Sequence, residues 1–282
     1  MTNRLGALTS VTPTGFATLD AWTLGGLRNG SMFTLTAAPG GGKTAFLVLL
    51  SYMAARARAA VLFASAALDE TEILARIAAR ALYREYPDAQ TTYGTIWSGD
   101  AWHDEVTRAA VGTSVDVAIR KVGQLFHFHR LKPFDSTLDI GAQAAHLWGR
   151  HERVILFIDG VEALAASGGG DNARAALANA ELGNRLTQVG YELRQLADGG
   201  CAVVVTSELE HSRWVLPAST LAAELRPAPR PLEGLASRDR VLGAEGVDLI
   251  VTKNHIGRSG TIPLKFIAGG AVFEEVDIQG VQ

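Results

Sequence analysis

Short apolar runs alternate with longer helical patterns along this sequence. An unbroken run of apolar residues is typical of a strand buried on both faces, whereas apolar residues at every third or fourth position indicate an amphipathic helix. The predicted strands are residues 32–36, 60–64, 125–129, 154–158 and 202–206, and the predicted helices are residues 43–58, 70–83, 138–149 and 173–196, with a further helical region that ends near Gly123. This alternation predicts an α/β fold with a mostly parallel central sheet flanked by helices.

The C-terminal part of the chain has a different pattern. Residues 211–246 are rich in Pro and Arg and show little periodicity, so we expect a long loop region there. Two apolar runs, residues 249–253 and 261–266, flank the turn sequence IGRSG and predict a C-terminal β-hairpin. No internal repeat and no interdomain linker is visible, so we expect a single domain over residues 1–282, with residues 1–13 as an N-terminal extension.

The composition is that of a folded protein, with 48% hydrophobic and 20% charged residues. A single cysteine, Cys201, excludes an internal disulfide framework and a four-cysteine zinc site. The formal net charge of -3 excludes a globally basic nucleic-acid coat but leaves a local basic surface open. The N-terminus lacks the apolar core of a signal peptide, and the most apolar stretch, residues 45–55, is too short to span a bilayer. We therefore expect a cytoplasmic protein with no membrane partner.

The sequence AAPGGGKT, residues 37–44, lies between a predicted strand and a predicted helix. It matches the phosphate-binding loop with Ala in place of the first Gly. Glycines let successive backbone N–H groups converge on phosphate oxygens, and the N-terminus of the following helix favours the same anion. The spacing predicts nucleotide binding, with Lys43 on the β- and γ-phosphates and Thr44 on Mg²⁺. The predicted nucleotide-binding residues are Ala38, Pro39, Gly40, Gly41, Gly42, Lys43, Thr44 and Ala45.

Asp159 directly follows the apolar run VILFI. An aspartate at the end of a strand in the same sheet can hold Mg²⁺ through water, so Thr44 and Asp159 form the predicted metal site. The alternative is an ordinary aspartate that caps a turn.

With these motifs in place, the chain resembles the ATPases of the RecA fold. Within them it is most similar to the C-terminal motor domain of DnaB-type hexameric replicative helicases. Five segments carry the resemblance in the family's order, from about Thr14 to Glu275: TGFATLDAWTLGGLRNGSM, AAPGGGKTAF, VILFIDGVEAL, VVVTSELEHS and VTKNHIGRSGTIPLKF.

The resemblance implies ATP and Mg²⁺ as cofactors and a ring of identical subunits, a hexamer in that family. It also implies single-stranded DNA in the central channel and a late hairpin that completes the neighbouring subunit's site. The family's N-terminal helical domain and linker helix have no counterpart here, so we expect a stand-alone motor module.

The chain departs from the family at the catalytic base. The family's glutamate after the second core strand aligns with Ala67, and the residue directly after Asp159, where other phosphate-loop ATPases carry the base, is Gly160. Asp69 or Glu70 can substitute if the loop bends back. The alternative is that this acidic pair stabilises a helix N-terminus.

Two further positions implied by the resemblance also differ. The family's γ-phosphate sensor, a glutamine, is Glu208 here, which either repels the phosphate or acts as a relocated base. On the hairpin, Lys253 keeps the family's trans-acting lysine, but the arginine-finger position is His255, and Arg258 at the turn is the candidate replacement. Because these changes weaken hydrolysis while the binding loop is intact, we expect ATP binding with slow or conditional hydrolysis.

Two loops correspond to the family's DNA-binding loops, residues 168–174 and 211–240. Arginines on a loop can neutralise phosphates without reading the base sequence. The candidate nucleic-acid contacts are Arg174, Arg213, Arg226, Arg230 and Arg238, and Trp214 is a candidate stacking residue. The alternative is a solvated or subunit-contact loop.

Two functions remain open from the sequence. The first is an ATP-driven machine that moves on single-stranded DNA in replication, plasmid maintenance or repair. The second is an assembly or regulatory protein in which ATP clamps the subunits and a protein partner supplies regulation. The loss of the base at Ala67 is the signature of the second.

Overall fold

The computed structural model describes residues 10–86, 88–133, 135–167, 182–229 and 232–276. The strands are β1 (Val11–Thr12), β2 (Leu27–Arg28), β3 (Met32–Ala37), β4 (Ala60–Ser65), β5 (Phe126–Arg130), β6 (Val154–Asp159), β7 (Ala202–Glu208), β8 (Leu221–Pro227), β9 (Ala244–Asn254), β10 (Gly260–Ile267) and β11 (Val272–Glu275). The α-helices are α1 (Ala17–Trp22), α2 (Lys43–Arg56), α3 (Glu70–Glu85), α4 (Tyr93–Ser98), α5 (Glu105–Val122), α6 (Thr137–Trp148), α7 (Leu182–Asp198), α8 (Ser212–Val215) and α9 (Ser237–Val241). Short 3₁₀ turns lie at Asp100–Trp102, Gly123–Leu125, Val161–Ala163 and Leu216–Ala218.

Nine of the strands in the described ranges form one sheet in the order β11-β10-β9-β8-β3-β7-β6-β4-β5. The strands from β8 to β5 run parallel to one another, and β9, β10 and β11 continue the sheet antiparallel as hairpins. The fold class expected from the sequence, a mostly parallel sheet with a C-terminal hairpin, is confirmed. Because the carboxyl ends of parallel strands share one edge of a sheet, β3, β7, β6 and β4 end side by side.

Helices cover both faces of the sheet. On one face α2 is buried around nearly its whole circumference, with Phe46 and Leu50 fully enclosed between the sheet and α1 and α3. On the other face Ile140 of α6 and Leu193 of α7 pack onto the central strands. This two-sided cover explains why β3, β4 and β6 are buried along their whole length and form unbroken apolar runs in the sequence.

The expected loop over residues 211–246 differs from the structure. It contains a short helix, α8, a strand, β8, and a second short helix, α9. Strand β8 pairs with β3 on one side and β9 on the other, so it belongs to the centre of the sheet. The hairpin strands β9 and β10 are longer than expected, and β11 adds a further strand. Of the predicted helix 173–196, residues 173–181 lie outside the described residues.

In the described part of the chain, every helix is too short or too polar to cross a lipid bilayer.

Candidate functional site

The phosphate-binding loop connects the end of β3 at Ala37 to the start of α2 at Lys43. Gly40 and Gly42 adopt left-handed φ values of 76° and 84°, which residues with a side chain rarely adopt. A Cβ on Gly42 would also lie 3.1 Å from Cζ of Phe273. The loop can therefore direct its backbone N–H groups at a bound anion, forming a glycine cradle, and the residues present fit a chain of phosphates.

Lys43 points into this cradle. Its Nζ donates to the carbonyl oxygens of Ala37 at 3.0 Å and Ala38 at 3.3 Å, and to Oε2 of Glu208 at 3.1 Å. The ammonium group has three N–H donors, so these protein acceptors satisfy all of them.

Asp159 stands at the end of β6 among hydroxyl groups. Thr44 Oγ1 donates to Oδ1 at 3.0 Å and lies 3.2 Å from Oδ2, while Thr206 and Ser65 donate to the carboxylate at 3.2 and 3.3 Å. Burial raises the pKa of Asp159 above its ordinary value, and the hydrogen bonds from these hydroxyls offset part of that shift. A carboxylate beside the Thr44 hydroxyl is the oxygen donor set that Mg²⁺ prefers, so the residues fit the predicted metal.

A second carboxylate, which the sequence reasoning missed, lies beside this centre. Oε1 of Glu162, in the 3₁₀ turn after β6, accepts from Ser207 Oγ at 2.7 Å and from the backbone N–H of Glu208 at 2.8 Å. Nδ1 of His211 lies 3.6 Å from the same oxygen. Glu162 thus joins the end of β7 to the start of the segment that leads to α8. An acidic residue three positions after Asp159 was the available sequence signal.

The candidates for a substitute base have different environments. Asp69 is the N-cap of α3: its side chain accepts from the backbone N–H of Glu72 at 2.8 Å, and the Glu72 side chain accepts from the N–H of Asp69. Glu70 is exposed in the first turn of the same helix, and Ala67 is exposed just beyond β4. The geometry at Asp69 is therefore that of the structural alternative, a capping box.

The pocket at the phosphate-binding loop has a volume of about 470 Å³. Besides residues 39–45 and Glu208, it is lined by Arg76, Tyr93, Phe266 and Ala268. The guanidinium of Arg76 stacks 4.5 Å from the centre of the Tyr93 ring. Sequence reasoning missed these four residues, because they come from α3, α4 and the C-terminal hairpin, where no phosphate motif marks them.

The predicted trans-acting residues do not line this pocket. Lys253, near the end of β9, donates from Nζ to the carbonyls of Leu216 and Pro217 at 3.0 and 3.2 Å. Burial, with a smaller contribution from Arg194, lowers the pKa of Lys253. His255 and Arg258 are exposed in the turn between β9 and β10, with the Arg258 guanidinium 5.8 Å from the centre of the Trp22 ring.

The candidate DNA contacts lie on separate elements. Arg213 on α8 is exposed and stacks over Trp214 at 4.3 Å. Arg226 on β8 pairs with Glu224 through two contacts of 2.9 Å, and Arg238 on α9 donates to the carbonyl of Tyr83 and packs over its ring. Arg174 and Arg230 lie outside the described residues. The three described arginines therefore differ in environment, and Arg213 lies two residues after His211, whose Nδ1 is 3.6 Å from Oε1 of Glu162.

Comparisons with known proteins agree with this architecture. The family described as "DnaB-like helicase C terminal domain" matches residues 12–213. A structure described as "ATPase Domain of G40P" is similar with a TM-score of 0.75 and 18% identity, over 98% of this chain and 95% of that chain. A second, "The Structure Of A DnaB-Like Replicative Helicase And Its Interactions With Primase", is similar with a TM-score of 0.74 and 17% identity. This second match covers 95% of this chain and 62% of that helicase chain. This chain therefore spans less than two thirds of that helicase. No curated protein matches the chain.

Proposed function

The chain belongs to the family of DnaB-like helicase C-terminal domains, and on that premise we propose that it is a cytoplasmic, ATP-binding ring ATPase that acts on single-stranded DNA. The observation that carries the proposal is the joint placement of Lys43, Thr44 and Asp159 at one sheet edge. Thr44 lies 3.0 Å from Asp159, and Lys43 points into the glycine cradle. Phosphate and metal ligands thus converge on one pocket.

Each group has a distinct role in this proposal. The backbone from Ala38 to Ala45 holds the phosphates, Lys43 neutralises their charge, and Thr44 and Asp159 hold Mg²⁺. When bound, Mg²⁺ withdraws charge from the phosphates and lowers the barrier to their transfer. Tyr93 and Phe266 offer an apolar wall for the rest of the nucleotide.

Hydrolysis is slow or conditional in this proposal, because most of the groups that would accept the proton of the attacking water are absent or engaged. Ala67 and Gly160 carry no acid, and Asp69 caps α3. Glu208 and the exposed Glu70 remain as candidate bases, and Glu208 must first release Lys43. A missing base typically lowers turnover by about 10²–10⁴-fold.

The ring supplies the remaining groups. His255 and Arg258 are exposed in the turn between β9 and β10, and neither they nor Lys253 line their own chain's pocket, which favours a role for Lys253, His255 and Arg258 on a neighbouring subunit. A hexamer is the assembly that we propose. Arg213 beside Trp214 is the described candidate for DNA, and Arg174, Arg226, Arg230 and Arg238 remain candidates of the same proposal.

A second candidate function is a clamp, in which ATP holds subunits or a protein partner without turnover. The ion pair between Lys43 and Glu208, together with the capping role of Asp69, favours it.

Steady-state ATP hydrolysis by the purified protein, with and without single-stranded DNA, separates the two functions. Turnover near about 1 s⁻¹ that rises with DNA supports the motor. Nucleotide binding with near-zero turnover supports the clamp. The Lys43→Ala variant is the control for both: it should lose nucleotide binding, and retained tight binding would overturn the assignment of the site.

A further inference from the structure

Glu208 occupies the position from which a carboxylate interferes with the far end of a phosphate chain. Its Oε2 lies 3.1 Å from Nζ of Lys43, the group that meets the β- and γ-phosphates in a phosphate-binding loop. As long as this contact is kept, any phosphate oxygen that Lys43 also binds lies within about 6 Å of the Glu208 carboxylate, since each hydrogen bond of the ammonium is about 3 Å long.

The backbone of Glu208 is held in place from two sides. Glu208 is the last residue of β7 and pairs in register with Ala37, the first residue of the loop sequence. Its N–H donates to Oε1 of Glu162, which also accepts from Ser207. Because strand pairing and this carboxylate fix the backbone, Glu208 can withdraw only by rotating its own side chain.

Glu208 also competes for the donors of Lys43. The other two acceptors, Ala37 O and Ala38 O, belong to the loop itself, so Glu208 is the side chain that an incoming phosphate displaces. A diphosphate requires one such exchange. A triphosphate requires the same exchange and adds the charge of the γ-phosphoryl group near this carboxylate, whose backbone is fixed at the end of β7.

We propose that Glu208 sets the nucleotide preference of this site by selecting against the terminal phosphate, so that the protein binds Mg-ADP in preference to Mg-ATP. The inference rests on the proposed function, because it concerns the same nucleotide pocket. It does not depend on whether Glu208 also accepts a proton during hydrolysis.

The size of the effect follows from the distance and exposure. Two like charges about 6 Å apart repel enough, in a medium of intermediate polarity, to change affinity by more than tenfold. The Glu208 side chain is 38% exposed, so solvent and salt screen part of this repulsion. We expect Glu208→Gln, which keeps the shape and removes the charge, to raise affinity for the triphosphate by about tenfold and for the diphosphate by less than about threefold.

The test is isothermal titration calorimetry of the full chain with Mg-ADP and with the magnesium complex of the non-hydrolysable imido analogue of ATP. Wild type, Glu208→Gln and Lys43→Ala are compared. Glu210→Gln is the matched control, since Glu210 lies two residues away with its side chain 80% exposed and contacts His211 rather than Lys43. Retained ADP binding by Glu208→Gln shows that the variant is folded.

The outcomes separate the two proposals. A selective gain for the triphosphate in Glu208→Gln, absent in Glu210→Gln, supports the inference. Tighter binding of the triphosphate analogue than of Mg-ADP by the wild type, equal changes for both nucleotides in Glu208→Gln, or no change, overturn it while leaving the proposed function intact. Wild-type protein that binds neither nucleotide, or binding that survives Lys43→Ala, overturns the proposed function and the inference with it.

Discussion

Asp159 is expected to lower the stability of the metal-free protein, although the proposed metal site requires it. Asp159 as a whole residue is 7% exposed, and the hydrogen bonds to its carboxyl group come from the neutral hydroxyls of Thr44, Ser65 and Thr206. Burial raises its pKa, which means that the folded protein accommodates the neutral form better than the charged one. Replacing Asp159 by asparagine supplies a neutral group of the same shape, so without Mg²⁺ the variant should be more stable at pH 7.

The magnitude follows from two opposing contributions. Each unit of pKa elevation corresponds to about 1.4 kcal/mol of penalty on the ionised form in the folded state. Against this, the side-chain amide nitrogen that the substitution introduces needs an acceptor, and Ser65 Oγ already accepts from the N–H groups of Ala67 and Leu68. We expect a net gain of about 1 kcal/mol in the free energy of unfolding, or roughly 2–4 °C in Tm.

The stability difference between the wild type and Asp159→Asn should depend on pH. Because the folded-state pKa of Asp159 lies above the unfolded value of 3.8, the wild type loses stability relative to the variant as pH rises through the folded pKa. The difference between the two proteins should therefore be full near pH 7 and shrink as the pH falls towards 4. Asp116→Asn, at an exposed position of α5, should show neither effect.

Thermal unfolding in EDTA, followed by circular dichroism between pH 7.5 and 4.5, measures this difference in stability. The same experiment with Mg²⁺ and ADP measures how much the ligands raise the Tm of each protein. Ligand should raise the Tm of the wild type but much less that of Asp159→Asn. A variant that melts below the wild type at pH 7 in EDTA, or a difference that does not change with pH, would refute the argument from burial.

Three further changes test other parts of the structure. Ala67→Glu, which places an acid at the exposed position beyond β4, should raise ATP turnover by about tenfold or more, and an unchanged rate in a correctly assembled protein would reject the alignment at Ala67. Asp69→Ala should lower the free energy of unfolding by about 1 kcal/mol in urea titrations, whereas Asp69→Asn can still cap α3 and should lower it much less. A loss of ATP turnover in both variants would instead identify Asp69 as the catalytic base. Lys265 Nζ lies 2.9 Å from the carboxylate of Asp239 and 3.0 Å from that of Glu274, so Lys265→Met removes a cation that both share. The variant should lose about 2–3 kcal/mol in the free energy of unfolding in the same urea titration. A loss below about 0.5 kcal/mol would contradict a structural role for these two ion pairs.

The central strands were predictable from sequence to within two residues because burial on both faces leaves a continuous apolar run. Strand β8 was not, because its sequence, LAAELRP, ends in polar residues and lies in a segment rich in Pro and Arg. Its place in the sheet depends on pairing with β3, about 190 residues earlier, and Leu221 opposite Phe33 begins that register. Such long-range pairing leaves no local periodicity.

In the candidate site too, residues marked by a local sequence pattern were predictable, whereas residues brought together by packing were not. The loop around Lys43 is a local pattern in which the spacing of residues fixes the geometry, and Asp159 follows an obvious strand. Glu162 reaches Ser207 and Glu208 only because β6 and β7 are neighbours in the sheet and a turn after β6 directs its side chain back towards β7. Arg76 and Tyr93 meet across two helices for the same kind of reason. Contacts between elements depend on the packing of the whole domain.

Glu208 changes the charge balance around the phosphate-binding loop. Among the described residues at this sheet edge, the carboxylates of Asp159, Glu162 and Glu208 stand close to the cations Lys43 and Arg76. A glutamine at position 208 would leave the charge of Lys43 available for phosphate, whereas Glu208 neutralises part of that charge before any phosphate arrives. Glu208 therefore gives this site less net positive charge than a glutamine would, and we expect nucleotide affinity to depend correspondingly more on the metal proposed at Thr44 and Asp159.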